Sequence, residues 1–191
     1  NLGHCGRIRL WQVHFSAPID LDWNTYHRQF VHQWQAHQQL EQQKSLKNAK
    51  IIQLLDSPNS SPADFFKSGN PQKYLDLAVA SGLKQIATYA DGVGPSKTYI
   101  FSNTDEKITT SFVKDAHAVG LKVHPYTLRP ENGFLPSYLR CSQVQTAPCP
   151  NGSLKEFERF FKAGVDGVFT DDPALGRKAL NEYLKSATLI Q

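Results

Sequence analysis

The sequence of 191 residues contains no methionine, no long apolar run and no cluster of basic residues. The absence of Met in a chain that starts at Asn1 favours a fragment or a processed product. Its apolar runs fall well short of the ~18 residues that a membrane-spanning helix needs, and no basic-then-apolar signal segment opens the chain. The sequence therefore predicts neither a transmembrane helix nor an amino-terminal signal peptide.

Strong charge of one sign is also missing. The 21 basic and 17 acidic residues leave a net charge of +4, and they are spread along the chain. Without a block of Lys and Arg, binding to nucleic acid or to a membrane surface gains little support. No GxGxxG follows a predicted strand and no GxxxxGK motif occurs, which excludes the common dinucleotide and P-loop sites. The length fits one domain with its own core.

Cysteine is scarce, with three residues at Cys5, Cys141 and Cys149. No CxxC pair or nearby Cys/His partner supplies the four ligands of a zinc site. Cys141 and Cys149 lie in a loop rich in Pro and Gly, where a disulfide could form in an oxidising compartment. Spacing alone does not fix the geometry of a disulfide, so two unrelated loop thiols remain an equal alternative.

The first 49 residues differ in composition from the rest, with all three Trp, five of the seven His and a Gln-rich stretch. Residues 25–48 lack Gly and Pro and predict a polar helix. His27, His32 and His37 recur every five residues, so they do not share a helix face and no metal site is expected. We assign residues 1–49 to an atypical amino-terminal segment, largely helical or poorly ordered, and residues 50–191 to the main unit.

From residue 50 onwards, apolar runs alternate with helical patterns. Strands are predicted at residues 50–56, 86–91, 121–127 and 165–170, and helices at residues 71–89, 108–119, 153–163 and 174–186. This alternation predicts an α/β fold with a parallel sheet and right-handed crossovers. About four units fit either an open sheet or half of an eight-unit barrel, and barrels of this kind keep their chemistry at the carboxyl ends of the strands.

Several residues carry local predictions. Gly92 and Gly94 are expected to let the end of a strand turn, and Gly82 is expected to mark a break or offset in the helix at residues 71–89. Ser153, followed by Glu156 three residues later, predicts a capping box at a helix start.

Three runs at the strand ends identify a family. They are YADGVGP at residues 89–95, AHAVGLKVHPYTLR at residues 116–129 and AGVDGVFTDDP at residues 163–173, and IIQLLD at residues 51–56 fits as the preceding strand. Together they resemble the glycerophosphodiester phosphodiesterases, above all the periplasmic or secreted bacterial type and its plant relatives. The resemblance covers about residues 50–186 and implies strands five to eight of a (β/α)8 TIM barrel, that is, its carboxyl-terminal half.

The resemblance also implies an activity. Members of this family hydrolyse glycerophosphodiesters to glycerol 3-phosphate and an alcohol. A divalent metal, commonly Ca²⁺ or Mg²⁺, neutralises the phosphate, and two histidines act as general acid and base. A periplasmic or secreted location is implied for this chain in the same way.

The catalytic and metal-binding motifs of the family belong to the first half of the barrel, which this chain largely lacks. His4 begins a His-Cys-Gly sequence where the family has His-Arg-Gly. Asp20 and Asp22 have the spacing of a metal-binding pair, but no His-Asp follows them. We therefore expect no catalytic residue and no metal ligand in this chain, and we expect the chain alone to be inactive.

Three residues at the strand ends are predicted to contact the substrate, namely Tyr126, Arg129 and Asp171. Tyr126 would form an apolar wall with a hydroxyl for the glycerol or the alcohol. Arg129 would pair with a phosphate oxygen through its fork of donors, and a surface ion pair is the alternative. Asp171 would orient a loop or the substrate, or would cap the helix that begins near Pro173.

Two histidines near these residues are expected to have no catalytic role. His124 lies inside a strand and is expected to be a structural residue, while His117 lies on a helix and is expected to face solvent.

A second hypothesis is a non-catalytic half-barrel that acts by pairing or assembly. A half-barrel leaves open the sheet edges that a closed barrel would cover, so self-association is expected. A third is another phosphate-handling β/α barrel, because one fold hosts many functions.

Overall fold

The computed structural model describes residues 9–11, 51–102 and 108–188 and shows an α/β arrangement built on parallel strands. The strands are β1 Arg9–Trp11, β2 Ile52–Leu55, β3 Gly92–Pro95, β4 Lys122–Val123 and β5 Gly167–Phe169. Strands β2, β3 and β4 form one parallel sheet in that order, and β1 pairs in parallel with β5. The predicted α/β class with a parallel sheet is confirmed.

Backbone hydrogen bonds join these two groups of strands. The N–H of Asp166 donates to the carbonyl of Val123 at 2.9 Å, and the N–H of Phe169 donates to the carbonyl of Pro125 at 3.0 Å. The lateral order is therefore β2-β3-β4-β5-β1. All five strands run in the same direction, so their carboxyl ends lie along one edge.

Six α-helices and three short 3₁₀ helices are seen in the described part of the chain. The α-helices are α1 Ala63–Ser68, α2 Tyr74–Ala78, α3 Ala80–Ile86, α4 Phe112–Ala118, α5 Pro150–Lys162 and α6 Pro173–Thr188, and the 3₁₀ helices are Lys97–Tyr99, Asn132–Phe134 and Ser137–Leu139. None of the described helices is long and apolar enough to cross a lipid bilayer.

The core lies between the sheet and these helices. Helix α5 contributes the largest buried side chains through Phe157, Phe160 and Phe161, whose spacing places them on one helix face. Helix α4 buries Phe112, Val113 and Ala116 in the same way. Gly120, with φ of 84°, comes directly after the C-cap residue Val119, where a residue in the left-handed region commonly ends a helix.

The predicted helix at residues 71–89 is two helices, and the break does not lie at Gly82. Val79 is extended, with ψ of 163°, and separates α2 from α3. A Cβ on Gly82 would lie 2.5 Å from the carbonyl oxygens of Asp76 and Leu77. The glycine therefore allows α3 to pack closely against α2. Helix α1, just before this pair, was not predicted.

The strand predicted at residues 86–91 begins later, at Gly92, because α3 extends to Ile86. Gly92 and Gly94 lie within β3, so the prediction that they let a strand end turn was wrong. A Cβ on Gly92 would lie 2.6 Å from the carbonyl oxygen of Lys122, and one on Gly94 would lie 2.5 Å from Cδ2 of Leu54. These glycines are needed for close packing between strands.

The predicted capping box at Ser153 and Glu156 was also wrong. Helix α5 begins one turn earlier, with Pro150 at its first position and Cys149 as the N-cap residue. Proline is well suited to that position, since the missing N–H would have no helical partner there. Ser153 and Glu156 are both buried within the helix.

The loop between β4 and α5 is closed by a disulfide between Cys141 and Cys149, whose Cα atoms are 5.6 Å apart. Of the two alternatives for these cysteines, the disulfide is therefore the one observed. The fully buried Asn132 fills the loop: its amide donates to the carbonyls of Val144 and Ala147, and its Oδ1 accepts from the N–H of Cys141 at 2.8 Å.

Several predictions fall on residues that the structure does not describe. The helix at residues 25–48 with His27, His32 and His37, the His4 motif, and the pair Asp20 and Asp22 lie outside the described residues. Within the amino-terminal segment, the described strand is β1, which no sequence pattern predicted.

Candidate functional site

The segments that follow β2, β3, β4 and β5 are adjacent because parallel strands end along the same edge. Backbone hydrogen bonds connect them: the N–H of Ser96 donates to the carbonyl of Leu55 at 2.8 Å, and the N–H of Tyr126 donates to the carbonyl of Pro95 at 3.0 Å. The strand-end site is defined here as Lys97, Tyr126, Arg129, Glu131, Phe134 and Asp171.

Tyr126 connects β4 to β2. Its hydroxyl donates to the carbonyl of Leu55 at 3.2 Å, and its side chain is half-buried. Burial, followed by the charge of Asp56 and the neighbouring Tyr74 and Tyr99, raises the pKa of Tyr126. The hydroxyl is therefore a protonated donor at neutral pH. Its predicted contact with the glycerol or alcohol stays a prediction.

Two further tyrosines lie near Tyr126 and Asp56. The hydroxyl of Tyr99 donates to the backbone carbonyl of Asp56 at 2.7 Å. Burial, then the charges of Asp56 and Asp64, raises the pKa of Tyr74 to about 12. These tyrosines form a wall of neutral hydroxyls and rings behind the ends of β2 and β3, which the sequence did not predict.

Arg129 lies six residues after the end of β4 and directly after Leu128, which is bridged to Thr170, and it has charged and aromatic partners. Its Nε is 3.0 Å from Oδ2 of Asp171, its Nη2 is 3.2 Å from Oε1 of Glu131, and its guanidinium carbon lies 4.0 Å from the ring centroid of Phe134. Two of the three predicted substrate-binding residues therefore contact each other. The ion pair that was the alternative for Arg129 is present, with both Asp171 and Glu131 as partners.

Asp171 does not cap the following helix. The adjacent Asp172 does so instead, because its Oδ1 accepts from the N–H of Leu175 at 2.9 Å. Asp172 stands immediately before Pro173 at the first helical position, which is the usual order of a cap followed by proline. Asp171 is left to pair with Arg129, and 54% of its side chain is exposed.

Lys97, which follows β3, connects the strand-end site to helix α5. Its Nζ lies 2.8 Å from Oε1 of Glu156 and donates to the carbonyl of Phe134 at 2.6 Å. Lys97 could have been found from the sequence, since it comes two residues after the end of a strand. The sequence carries no signal for Phe134, which lies in an irregular loop, or for the burial of Glu156.

The two histidines differ in their surroundings. His124 is buried in the sheet, and its backbone N–H donates to the carbonyl of Val93 at 2.9 Å. The structural role expected for its side chain stays a prediction. His117 faces solvent as predicted, and its Nε2 lies 2.7 Å from Oδ2 of Asp166, just before β5. This pair is at the opposite end of the strands from the site.

A cleft of about 970 Å³ lies beside the strand-end site, between the loop after β2, the junction of α2 and α3, and the loop after β3. Several hydroxyl groups line the cleft. Two of them already donate a hydrogen bond, that of Thr110 to the backbone carbonyl of Tyr99 and that of Ser111 to the carboxylate of Asp115. The three predicted substrate-binding residues do not line this cleft, so it is a separate feature.

No three His, Cys, Asp or Glu side chains come together as a possible metal site within residues 51–102 and 108–188. The acidic residues at the end of β5 are engaged, Asp171 by Arg129 and Asp172 by the start of α6. The described residues therefore do not fit a catalytic divalent metal, and no step that uses such a metal is derived from them.

Comparison with curated proteins gives three relatives. The chain is 37% identical over 127 residues to glycerophosphodiester phosphodiesterase GDPD6 of Arabidopsis thaliana, and the match covers 63% of this chain and 32% of that protein. It is 34% identical over 146 residues to the glycerophosphodiester phosphodiesterase of Treponema pallidum, a match that covers 71% of this chain and 36% of that protein. It is 27% identical over 138 residues to the glycerophosphodiester phosphodiesterase of Haemophilus influenzae, a match that covers 66% of this chain and 34% of that protein. The chain spans about a third of the length of these relatives.

The sequence model of the glycerophosphoryl diester phosphodiesterase family matches residues 10–175, which is most of the chain. The match begins within β1 and ends early in α6, so it includes every described strand. The family inferred from the strand-end runs is confirmed, and the chain belongs to the glycerophosphoryl diester phosphodiesterase family.

Proposed function

We propose that this chain is the carboxyl-terminal half of a (β/α)8 barrel that hydrolyses glycerophosphodiesters to glycerol 3-phosphate and an alcohol. In this proposal the chain supplies substrate contacts and no catalytic group. The observation that carries it is the placement of Arg129 at the adjoining carboxyl ends of β4 and β5, beside Asp171, in a chain of this family.

Arg129 binds a phosphate oxygen in this proposal. A guanidinium carries five N–H donors, and the contacts with Asp171 and Glu131 use only part of that capacity. Because two carboxylates flank one guanidinium, an incoming phosphate competes with them. Asp171 is the more exposed of the two and is the one that we expect to move toward the glycerol hydroxyls.

Tyr126 forms the wall on the β2 side of this site. Its raised pKa keeps the hydroxyl neutral, so it places no negative charge near a phosphate. The ring offers an apolar face to the glycerol or to the alcohol.

The general acid, the general base and the Ca²⁺ or Mg²⁺ ligands of the reaction come, in this proposal, from residues other than the described ones. We further propose a periplasmic or secreted location, which the Cys141–Cys149 disulfide supports because disulfides persist in oxidising compartments.

The proposal predicts that the full 191-residue chain binds glycerol 3-phosphate without hydrolysing glycerophosphocholine. Substitution Arg129→Ala should weaken that binding about tenfold or more, since it removes a charge-assisted hydrogen bond. Titration followed by NMR measures the affinity. Arg177→Ala, at an exposed position of α6, is the matched control and should leave the affinity unchanged.

The same sample tests the predicted inactivity. Release of glycerol 3-phosphate from glycerophosphocholine is assayed with Ca²⁺, with Mg²⁺ and with a chelator. Metal-dependent release that Asp22→Ala abolishes would contradict the proposal that this chain supplies no catalytic group. Equal affinities of the wild type and Arg129→Ala for glycerol 3-phosphate would contradict the phosphate-binding role of Arg129.

A second candidate is a non-catalytic half-barrel that acts by pairing. One observation favours it: within the described residues, β2 has a hydrogen-bonded neighbour on one side, β3. Self-association in solution distinguishes this candidate from a monomeric chain.

A further inference from the structure

We propose that the Lys97–Glu156 ion pair is a positioning device that holds Phe134 against the guanidinium of Arg129. The pair thereby sets the direction of the donors at the strand-end site. The consequence for ligand affinity rests on the proposed phosphate-binding role of Arg129, whereas the contact itself does not.

The ammonium of Lys97 joins two separate parts of the molecule. It lies 2.8 Å from Oε1 of Glu156 in α5 and donates to the carbonyl of Phe134 at 2.6 Å. Glu156 is only 1% exposed. A buried ion pair contributes little net stability, because desolvation of both charges offsets their attraction. The main effect of the pair is therefore on geometry and not on stability: it fixes the position of the Phe134 carbonyl.

The backbone of Lys97 is fixed at the strand ends. Its N–H donates to the carbonyl of Tyr126 at 3.1 Å, and the hydroxyl of Tyr126 donates to the carbonyl of Leu55. The ammonium therefore extends from a point that is tied to both β4 and β2. It connects this point to the loop that carries Phe134.

Phe134 depends on such an anchor because its side chain is largely outside the core. The residue is 46% exposed, and its ring lies 4.0 Å from the guanidinium carbon of Arg129. A cation–π contact at an exposed site is worth about 0.5–1 kcal/mol, which is too little to fix a loop residue. The hydrogen bond from Lys97 holds the residue, and the ring then fixes one face of Arg129.

The other strong bonds of this loop act within the loop. The disulfide links Cys141 to Cys149, and the side chain of Asn132 bonds to Cys141 and Ala147. These bonds set the shape of the loop, in which the N–H of Phe134 also donates to the carbonyl of Glu131 at 3.0 Å. The bond from Lys97 is the one that ties Phe134 to a residue outside the loop, at the end of β3.

The test uses the full chain and the double variant Lys97→Met/Glu156→Met. A single change at Lys97 would remove the ion-pair partner of the buried Glu156 and endanger the fold, whereas removing both charges together is often tolerated. The readout is the ¹H–¹⁵N signal of the Arg129 Nε group, which the nearby Phe134 ring shifts. The signal is assigned by its absence in Arg129→Lys.

We expect the double variant to remain folded, to lose the ring-induced shift and to bind glycerol 3-phosphate about tenfold more weakly. Phe134→Leu, which removes the ring and keeps the carbonyl, should have the same two effects, and adding it to the double variant should cause no further loss of affinity. This second variant keeps the proposal open to refutation if the double variant does not fold, because an unchanged Arg129 signal would show that the ring does not lie against the guanidinium. Lys97→Arg should retain both the shift and the affinity.

The matched control is Glu158→Met/Lys162→Met, which removes an exposed ion pair of 2.6 Å from the same helix. It should change neither readout. An unchanged Arg129 signal in the folded double variant, or in Phe134→Leu, would overturn the positioning role. Loss of the shift in a chain whose wild type does not bind glycerol 3-phosphate would support the positioning role and remove the proposed phosphate-binding function.

Discussion

Asp166 shows how one carboxylate connects several elements at the end of the sheet opposite the candidate site. It lies just before β5 and accepts hydrogen bonds from Nζ of Lys122 at 2.9 Å and from the N–H of Val123 at 3.0 Å, and its Oδ2 lies 2.7 Å from Nε2 of His117. Burial alone would raise the pKa of Asp166, but these hydrogen bonds outweigh it and lower the pKa below its ordinary value of 3.8. The ionised form is therefore the one that stabilises the fold.

Substitution Asp166→Asn should lower the free energy of unfolding at neutral pH by about 1–3 kcal/mol, since it weakens hydrogen bonds to a charged acceptor. The folded-state pKa is depressed, so this stability is present above pH 3.8 and is lost as the pH falls through the folded-state value. Urea unfolding at a series of pH values should therefore show the two proteins converging in acid. The control Glu182→Gln, in an exposed pair of α6, should change little; a difference that persists in acid would contradict the account.

Asp171 and Asp172 show what the sequence cannot predict about individual residues, because these adjacent acids have different roles. The sequence placed Asp171 and Asp172 together at the end of a strand, and both lie there. The choice of which one caps α6 depends on backbone direction, and Asp172 is the residue that reaches the N–H of Leu175. Arg129 was placed correctly too, but its contact with Phe134 depends on a loop without periodicity.

At the scale of elements, prediction succeeded where apolar spacing decides the structure. Strand β2 and helix α6 were predicted close to their observed bounds, because each has a clear apolar pattern and a clear end. Helix α4 ends within one residue of its predicted end but begins four residues later than predicted, at Phe112. Prediction failed where contacts with other elements determine the bounds of an element or the role of a residue. Val79 breaks a continuous helical pattern, and a buried Glu156 that pairs with Lys97 looks in sequence like half of a capping box.

Strand β3 gives the clearest example and a prediction. A Cβ on Gly92 would lie 2.6 Å from the backbone carbonyl of Lys122, which cannot move without disturbing the pairing of β3 with β4. Gly92→Ala should therefore destabilise the protein by about 1–3 kcal/mol, as overpacking does. At Gly94 the nearest atom is the end of the flexible Leu54 side chain, so Gly94→Ala should cost less. Thermal unfolding of both variants measures this order, and equal stability of Gly92→Ala and wild type would show that the strands can separate.

At the scale of the whole molecule, the order of the strands determines where an edge is left. Strand β2 bonds to β3 through its odd-numbered residues, because the carbonyls of Ile51 and Leu55 accept from Gly92 and Ser96. Parallel pairing alternates along a strand, so Ile52 and Leu54 direct their backbone groups away from β3. The carbonyl of Leu54 accepts from the side-chain amide of Gln53, which agrees with that direction.

Among the described strands β2 lies at an edge, and an edge strand whose outward backbone groups bond to no other strand is a template for one, so we predict self-association of the isolated chain. Light scattering after size-exclusion chromatography should show species larger than 21.5 kDa that increase with concentration.

Ile52→Pro should shift the distribution toward the monomer, because proline is tolerated at the first residue of an edge strand and removes the outward N–H. Val144→Ser, at a residue that is 59% exposed on the disulfide loop, tests instead for association through exposed apolar side chains and should leave the distribution unchanged. Circular dichroism establishes that both variants are folded. A wild-type chain that stays monomeric at every concentration would mean that the β2 edge is covered within the chain, and it would remove the pairing function as a candidate.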